Sequence, residues 1–162
     1  MDSTYNLQLD SKMKNRGIKH LAILSLGALV MMLSSYKTAS TDYPGLRVIC
    51  NAYAPVPSLS QYEFEQMIQG EKQRWKGGDG VIVALLKTSH PTGMKVAEEI
   101  FEMNDNEFNR YWLSLVFAGK SKAPNFFTSE EDLLEFVMVT PGAIGVVSTN
   151  VSTVGVKELS IE

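Results

Sequence analysis

The sequence predicts an α/β fold, a mostly parallel sheet of about four strands flanked by about four helices. Three observations carry that expectation. The run Val81-Ile-Val-Ala-Leu-Leu86 is wholly apolar, as befits a strand buried on both faces. A polar, turn-forming loop follows it, and then Val96, Ala97, Ile100 and Phe101 recur at helical spacing, which makes one buried face. Helix-start signatures of the form Ser/Thr-x-x-Glu also stand between the apolar runs, at Ser60 to Glu63 and Thr128 to Glu131.

Length and composition bound the reading. With 162 residues, 44% apolar and 20% charged, the chain has room for one ordinary globular domain. From Thr41 onward there are 10 Lys and Arg against 16 Asp and Glu. That balance argues against a nucleic-acid or anionic-membrane surface. An anionic ligand would have to be held locally, by N–H groups and one or two cations. The single cysteine, Cys50, excludes an intramolecular disulfide. Flanked by Val48 and Ile49 with no basic neighbour, it reads as a small buried hydrophobe.

Residues 1–40 read as a secretory signal peptide. Arg16, Lys19 and His20 precede the uncharged run Leu21 to Leu33, and small or polar Ser34, Ser35, Thr38, Ala39 and Ser40 follow. Met13 is an alternative start, because Met13-Lys-Asn-Arg16 makes an ordinary basic leader. The run is shorter than the roughly 20 residues of a membrane span. An uncleaved inner-membrane anchor stays open, because Tyr36 and Lys37 interrupt the cleavage region. Export without a disulfide pair points to a periplasmic location, with 41–162 as the mature domain.

In chain order, Leu46 to Tyr53 reads as the first strand. Pro55 and Pro57 then forbid helix or central strand. Ser60 caps a helix over about Gln61 to Gln69, which Gly70 stops. Trp75-Lys-Gly-Gly-Asp-Gly80 reads as a tight turn using glycine at positive φ. A phosphate cradle is the alternative there, but no Lys-Ser/Thr or helix follows as in a P-loop. Strand, helix and strand together predict a right-handed parallel crossover from the first strand into Val81 to Leu86.

A helix is expected over about Thr92 to Met103, and another opens near Asn104 to Glu107. In the latter Phe108, Tyr111, Trp112, Leu115 and Val116 form an apolar stripe, read as core packing rather than a ligand surface. Gly119 ends it, and Lys120 to Pro124 is a basic loop. Leu133, Leu134, Val137 and Met138 mark a further helix, opened by Thr128 and broken at Pro141-Gly142. Ala143 to Val147 is a short buried strand. Val154 to Ile161 is a last strand at an edge, where Lys157 and Glu158 discourage pairing with another chain.

Ligands of open α/β sheets sit at the carboxyl ends of the strands. Three Ser/Thr/Asn-rich loops leave strands here: Asn51 to Ser58, Lys87 to Gly93, and Ser148 to Thr153. Were the strands parallel, these loops would converge. The middle loop offers hydroxyls on Thr88, Ser89 and Thr92, a bare N–H at Gly93, and the charge of Lys87 or Lys95. Such donors at a helix start suit an oxyanion. No catalytic pattern is present: His90 stands alone in its loop, and Glu98-Glu99 and Glu130-Glu131 read as solvated helix surfaces.

Several segments together resemble a known family. They are the helix ending Met67-Ile-Gln-Gly70, then Trp75 and Asp79-Gly80, the Ser/Thr/Gly loop with its helix ending at Phe101, Tyr111-Trp112 with Phe117-Ala-Gly119, and Pro141-Gly-Ala-Ile-Gly145. In this order, over most of Val48 to Val147, the chain resembles short single-lobe relatives of the periplasmic phosphate-binding protein of ABC transporters, the type II periplasmic-binding fold. The resemblance implies a single binding-protein-like lobe that captures phosphate or a similar oxyanion with backbone amides and hydroxyls. It implies a transporter permease or another envelope protein as partner; no cofactor is expected, and no residues support an enzymatic reading. The expected ligand residues are Lys87, Thr88, Ser89, Thr92 and Gly93. Lys87 stands where the family carries an arginine, a point charge in place of a fork. The other reading is an exported accessory or interaction module that keeps the fold without tight ligand binding.

Overall fold

The computed structural model describes residues 43–162. Residues 1–40, read above as a signal peptide or anchor, lie outside them. Among the described residues no helix is long and apolar enough to cross a membrane.

A five-stranded sheet lies at the centre. Its strands are β1 (Leu46–Cys50), β3 (Ile82–Leu86), β4 (Asn125–Phe127), β5 (Ala143–Ser148) and β6 (Lys157–Glu158), in the order β4-β3-β5-β1-β6. A separate pair joins β2 (Ser58–Leu59) to β7 (Ser160–Ile161). The helices among the described residues are α1 (Gln61–Ile68), α2 (Pro91–Glu99), α3 (Asp105–Phe117) and α4 (Glu130–Val139).

Side-chain alternation along the strands builds two apolar layers. Val48, Cys50, Leu85, Ile144 and Val146 face one side, where Phe64, Met67 and Ile68 of α1, Val96 and Ala97 of α2, and Phe108 and Trp112 of α3 cover them. Ile49, Ala84, Leu86, Ala143 and Val147 face the other side, where Leu133 and Val137 of α4 pack. Each large side chain so buried contributes about 1.5–3 kcal/mol relative to exposure. This α/β/α layering agrees with the predicted fold class.

The topology corrects one expectation. β3 runs parallel to β4 and β5, but β1 runs antiparallel to β5, with Leu46 opposite Ser148 and Cys50 opposite Ile144. The connection from β1 to β3 therefore begins and ends at the same edge of the sheet and is not a crossover. A strand-helix-strand sequence pattern fixes handedness only when the two strands are parallel, and here β5 intervenes. The sheet remains mostly parallel in direction, since β1 alone is reversed.

Local corrections have local causes. α2 ends at Glu99, before the expected Met103; the chain turns with Glu102 at φ 54° so that Asn104 can cap α3 through a full capping box with Glu107. α4 is capped by Ser129 rather than Thr128, its hydroxyl accepting from the Asp132 N–H at 3.2 Å. The last strand splits in two: Lys157–Glu158 pairs with β1, and Ser160–Ile161 moves over to β2. The short strand β4 was not expected from the sequence. Of the α3 stripe, Phe108 and Trp112 are buried and Leu115 half-buried, but Val116 is exposed. The turn at Trp75 to Gly80 does use a glycine at positive φ, Gly78 at 92°.

Candidate functional site

The reversed β1 decides which loops can share a site. Lys87 to Gly93 and Ser148 to Thr153 leave parallel β3 and β5 at the carboxyl edge, whereas Asn51 to Ser58 leaves β1 at the opposite edge. The expected convergence of three loops is therefore not met: only two of them leave the sheet at the same edge.

The polar residues of the outer two loops hold the fold. The Asn51 amide donates to the carbonyls of Val137 and Met138 at 3.0 and 2.9 Å, satisfying the carboxyl end of α4. In the other loop, the Ser148 N–H and hydroxyl donate to the two carboxylate oxygens of buried Glu130, at 2.7 and 3.0 Å. Glu130, read from sequence as solvated, is a structural acceptor.

The central loop is folded tightly onto the start of α2. The Lys87 N–H donates to Phe127 O at 2.9 Å, and the His90 N–H returns to Lys87 O at 2.9 Å. His90 is not a free loop residue: it caps α2, its Nδ1 accepting from the Thr92 N–H at 3.2 Å. Pro91 occupies the first turn, where its missing N–H costs nothing. A Cβ on Gly93 would lie 2.1 Å from Lys87 O and 2.7 Å from Leu86 O. Only glycine lets the helix start approach the strand end so closely.

Beside this loop lies a cleft of about 300 Å³, lined by Lys87, Thr88 and Ser89, by Phe108 and Asn109 of α3, and by Phe126 of β4. Three of the five residues expected at a site therefore come together. Thr92 and Gly93 lie buried behind them and serve packing. Thr88 donates its hydroxyl to Asp105, and the Asn109 amide donates to the same carboxylate at 2.9 Å. Asp105 was missed by sequence reasoning, although its place directly after the cap Asn104 and beside an acidic first turn could have marked it.

Charge around the cleft is mixed. Lys95 is engaged elsewhere, donating to Pro44 O and facing Glu99 at 3.6 Å. Lys87 is exposed and makes no ion pair among the described residues. α1, α3 and α4 carry acidic residues in their first turns, and α2 carries none. The positive end of the α2 dipole is thus uncompensated by its own side chains, while Asp105 at the start of α3 opposes a second negative charge.

No protein-family model matches the chain, and no functionally curated protein does. Solved structures do. The fold is similar to an ABC-type phosphate transport receptor from Vibrio cholerae, with TM-score 0.58 and 16% identity over 72% of this chain and 46% of that one. It is similar to PstS from Borrelia burgdorferi, with TM-score 0.55 and 15% identity over 73% of this chain and 47% of that one. A phosphate ABC transporter substrate-binding protein with bound phosphate from Clostridium perfringens gives TM-score 0.56 and 16% identity over 72% and 44%. The chain spans a little under half the length of each of these structures. Its described domain has a periplasmic-binding-protein-like fold, similar to part of these phosphate receptors.

Proposed function

We propose that the chain is an exported solute-binding-like protein that holds phosphate or a similar small oxyanion for an ABC transporter, with residues 1–40 as its export signal and 41–162 as the mature domain. The observation that carries this reading is the meeting in one cleft of the Ser89 hydroxyl and Lys87, which has no ion-pair partner among the described residues, just ahead of the carboxylate-free first turn of α2 in the chain, on a fold shared with phosphate receptors. Lys87 and Ser89 contact the anion, Thr88 does so when its hydroxyl leaves Asp105, and Thr92 and Gly93 hold the loop in shape. The partner is a transporter permease or another envelope protein. The role is capture, not catalysis.

One observation favours the second reading, an accessory module without tight ligand binding: the Thr88 hydroxyl is turned onto Asp105 and away from a ligand.

Phosphate titration of the purified full-length protein by calorimetry, with sulfate alongside, separates the two. Solute binding predicts micromolar or tighter affinity, weakened about tenfold or more in a Lys87→Ala, Ser89→Ala variant, the scale of a lost charged hydrogen bond. No heat at millimolar phosphate from folded protein leaves the accessory module.

A further inference from the structure

A second and larger cleft lies elsewhere among the described residues. A groove of about 560 Å³ opens at the amino end of β3, within the range of small-ligand sites. The edge of β3 is paired at Val81 by Gln73, whose carbonyl accepts the Val81 N–H at 2.9 Å, and from Ala84 onward by β4. The groove is the gap between these two partners. Its floor is apolar, from half-buried Val81 and Val83 with Met67 buried beneath them. One wall is the segment Lys72 to Arg74, the other Ser121 to Asn125. The Gln73 amide donates to Lys120 O at 2.6 Å and ties the walls together.

The rim is cationic in an otherwise acidic domain. Lys72, Arg74 and Lys122 line the groove and no carboxylate does. Lys72 is spent on Glu63 at 2.8 Å. Arg74 donates through one Nη to Gly78 O at 2.7 Å, and neither it nor Lys122 has an ion-pair partner among the described residues. Arg74 on one wall, Lys122 on the other and an apolar floor between them suit an apolar body that ends in a carboxylate.

We propose that this groove binds an organic carboxylate with an apolar body. The site is separate from the β3–α2 loop and does not depend on phosphate binding there. The Arg74 guanidinium and the Lys122 ammonium hold the carboxylate, and half-buried Val81 and Val83 receive the chain.

The test uses octanoate as probe, with 1-octanol and octylammonium as neutral and charge-reversed controls, followed by amide NMR shifts of the purified full-length protein. Octanoate is expected to shift Gln73, Val83 and Asn125, with both controls about tenfold weaker or worse. An Arg74→Gln, Lys122→Gln variant is expected to lose about tenfold in octanoate affinity, and Arg110→Gln, which removes a surface charge on α3, to lose none. Both variants replace exposed side chains, and their unfolding midpoints report whether the fold is kept. Equal binding of octanol, shifts confined to other parts of the surface, or no shift in folded protein would each overturn the proposal.

Discussion

The indole Nε1 of Trp75 donates a 3.0 Å hydrogen bond to the carbonyl of Gly142. The same carbonyl accepts the Ile82 N–H at 3.0 Å, so the turn before β5 is held at once by the turn before β3 and by β3 itself. Gly142 sits at φ 81°, and a Cβ there would lie 2.3 Å from Gly80 O. Two separate sequence segments, the Trp75–Gly80 turn and Pro141-Gly142, thereby meet at the amino edge and set the β3–β5 register. Gly142→Ala is expected to cost about 2–4 kcal/mol through strain and overlap. Trp75→Phe is expected to cost about 1–3 kcal/mol, because it removes a buried donor and part of a core ring. Urea unfolding of both variants checks the magnitudes.

Gly93 is the corresponding position at the carboxyl edge. Its overlap would be with backbone, Lys87 O at 2.1 Å, and backbone cannot rotate aside. Gly93→Ala is expected to destabilise by about 2–4 kcal/mol and to shift the amides of Lys87 to Ser89, since the loop must move to admit the methyl group. A stable variant with unmoved loop amides would contradict the packing role assigned here.

Cys50 is wholly buried, and burial pushes its thiol up to about 11 despite the opposing influence of Lys157. The thiolate is the reactive form. At pH 8 a disulfide reagent such as DTNB should react negligibly with native protein and fully after urea is added. Rapid labelling of folded protein would show that β1 opens readily.

Glu63 gives the acid side of the stability curve. The Lys72 ammonium, hydrogen-bonded at 2.8 Å, holds its carboxyl below the usual range, and Lys76 at 3.4 Å adds to this. A lowered folded value means stability that is present above the unfolded carboxylate pKa of about 4.3 and is lost as pH falls through the folded value. The pairs are partly exposed, so the effect is small. Glu63→Gln should lose less stability than the parent between pH 7 and pH 3, measured by urea midpoints.

The layered fold was legible because apolar periodicity and caps are local. Val81 to Leu86, the Ser60 cap and the Phe108 and Trp112 positions all follow from spacing of one or two turns. Strand direction was not legible, because β1 is reversed by its pairing with β5, a contact between residues about a hundred positions apart in sequence. Short β4 escaped because its three residues, Asn125 to Phe127, are too few to show alternation. At the candidate site, Lys87, Thr88 and Ser89 could be read from loop chemistry. The engagement of Thr88 by Asp105 and the burial of Thr92 could not, since both depend on how α2 and α3 pack against the strand end.

The β3–α2 loop as the anion site is tested most directly by amide NMR during a phosphate titration of the purified full-length protein. Binding at this loop would give saturable shifts concentrated at Thr88, Ser89 and Gly93, and their loss in a Lys87→Ala, Ser89→Ala variant that keeps its unfolding midpoint. Saturable shifts centred on another part of the surface, or none at millimolar phosphate, would contradict it.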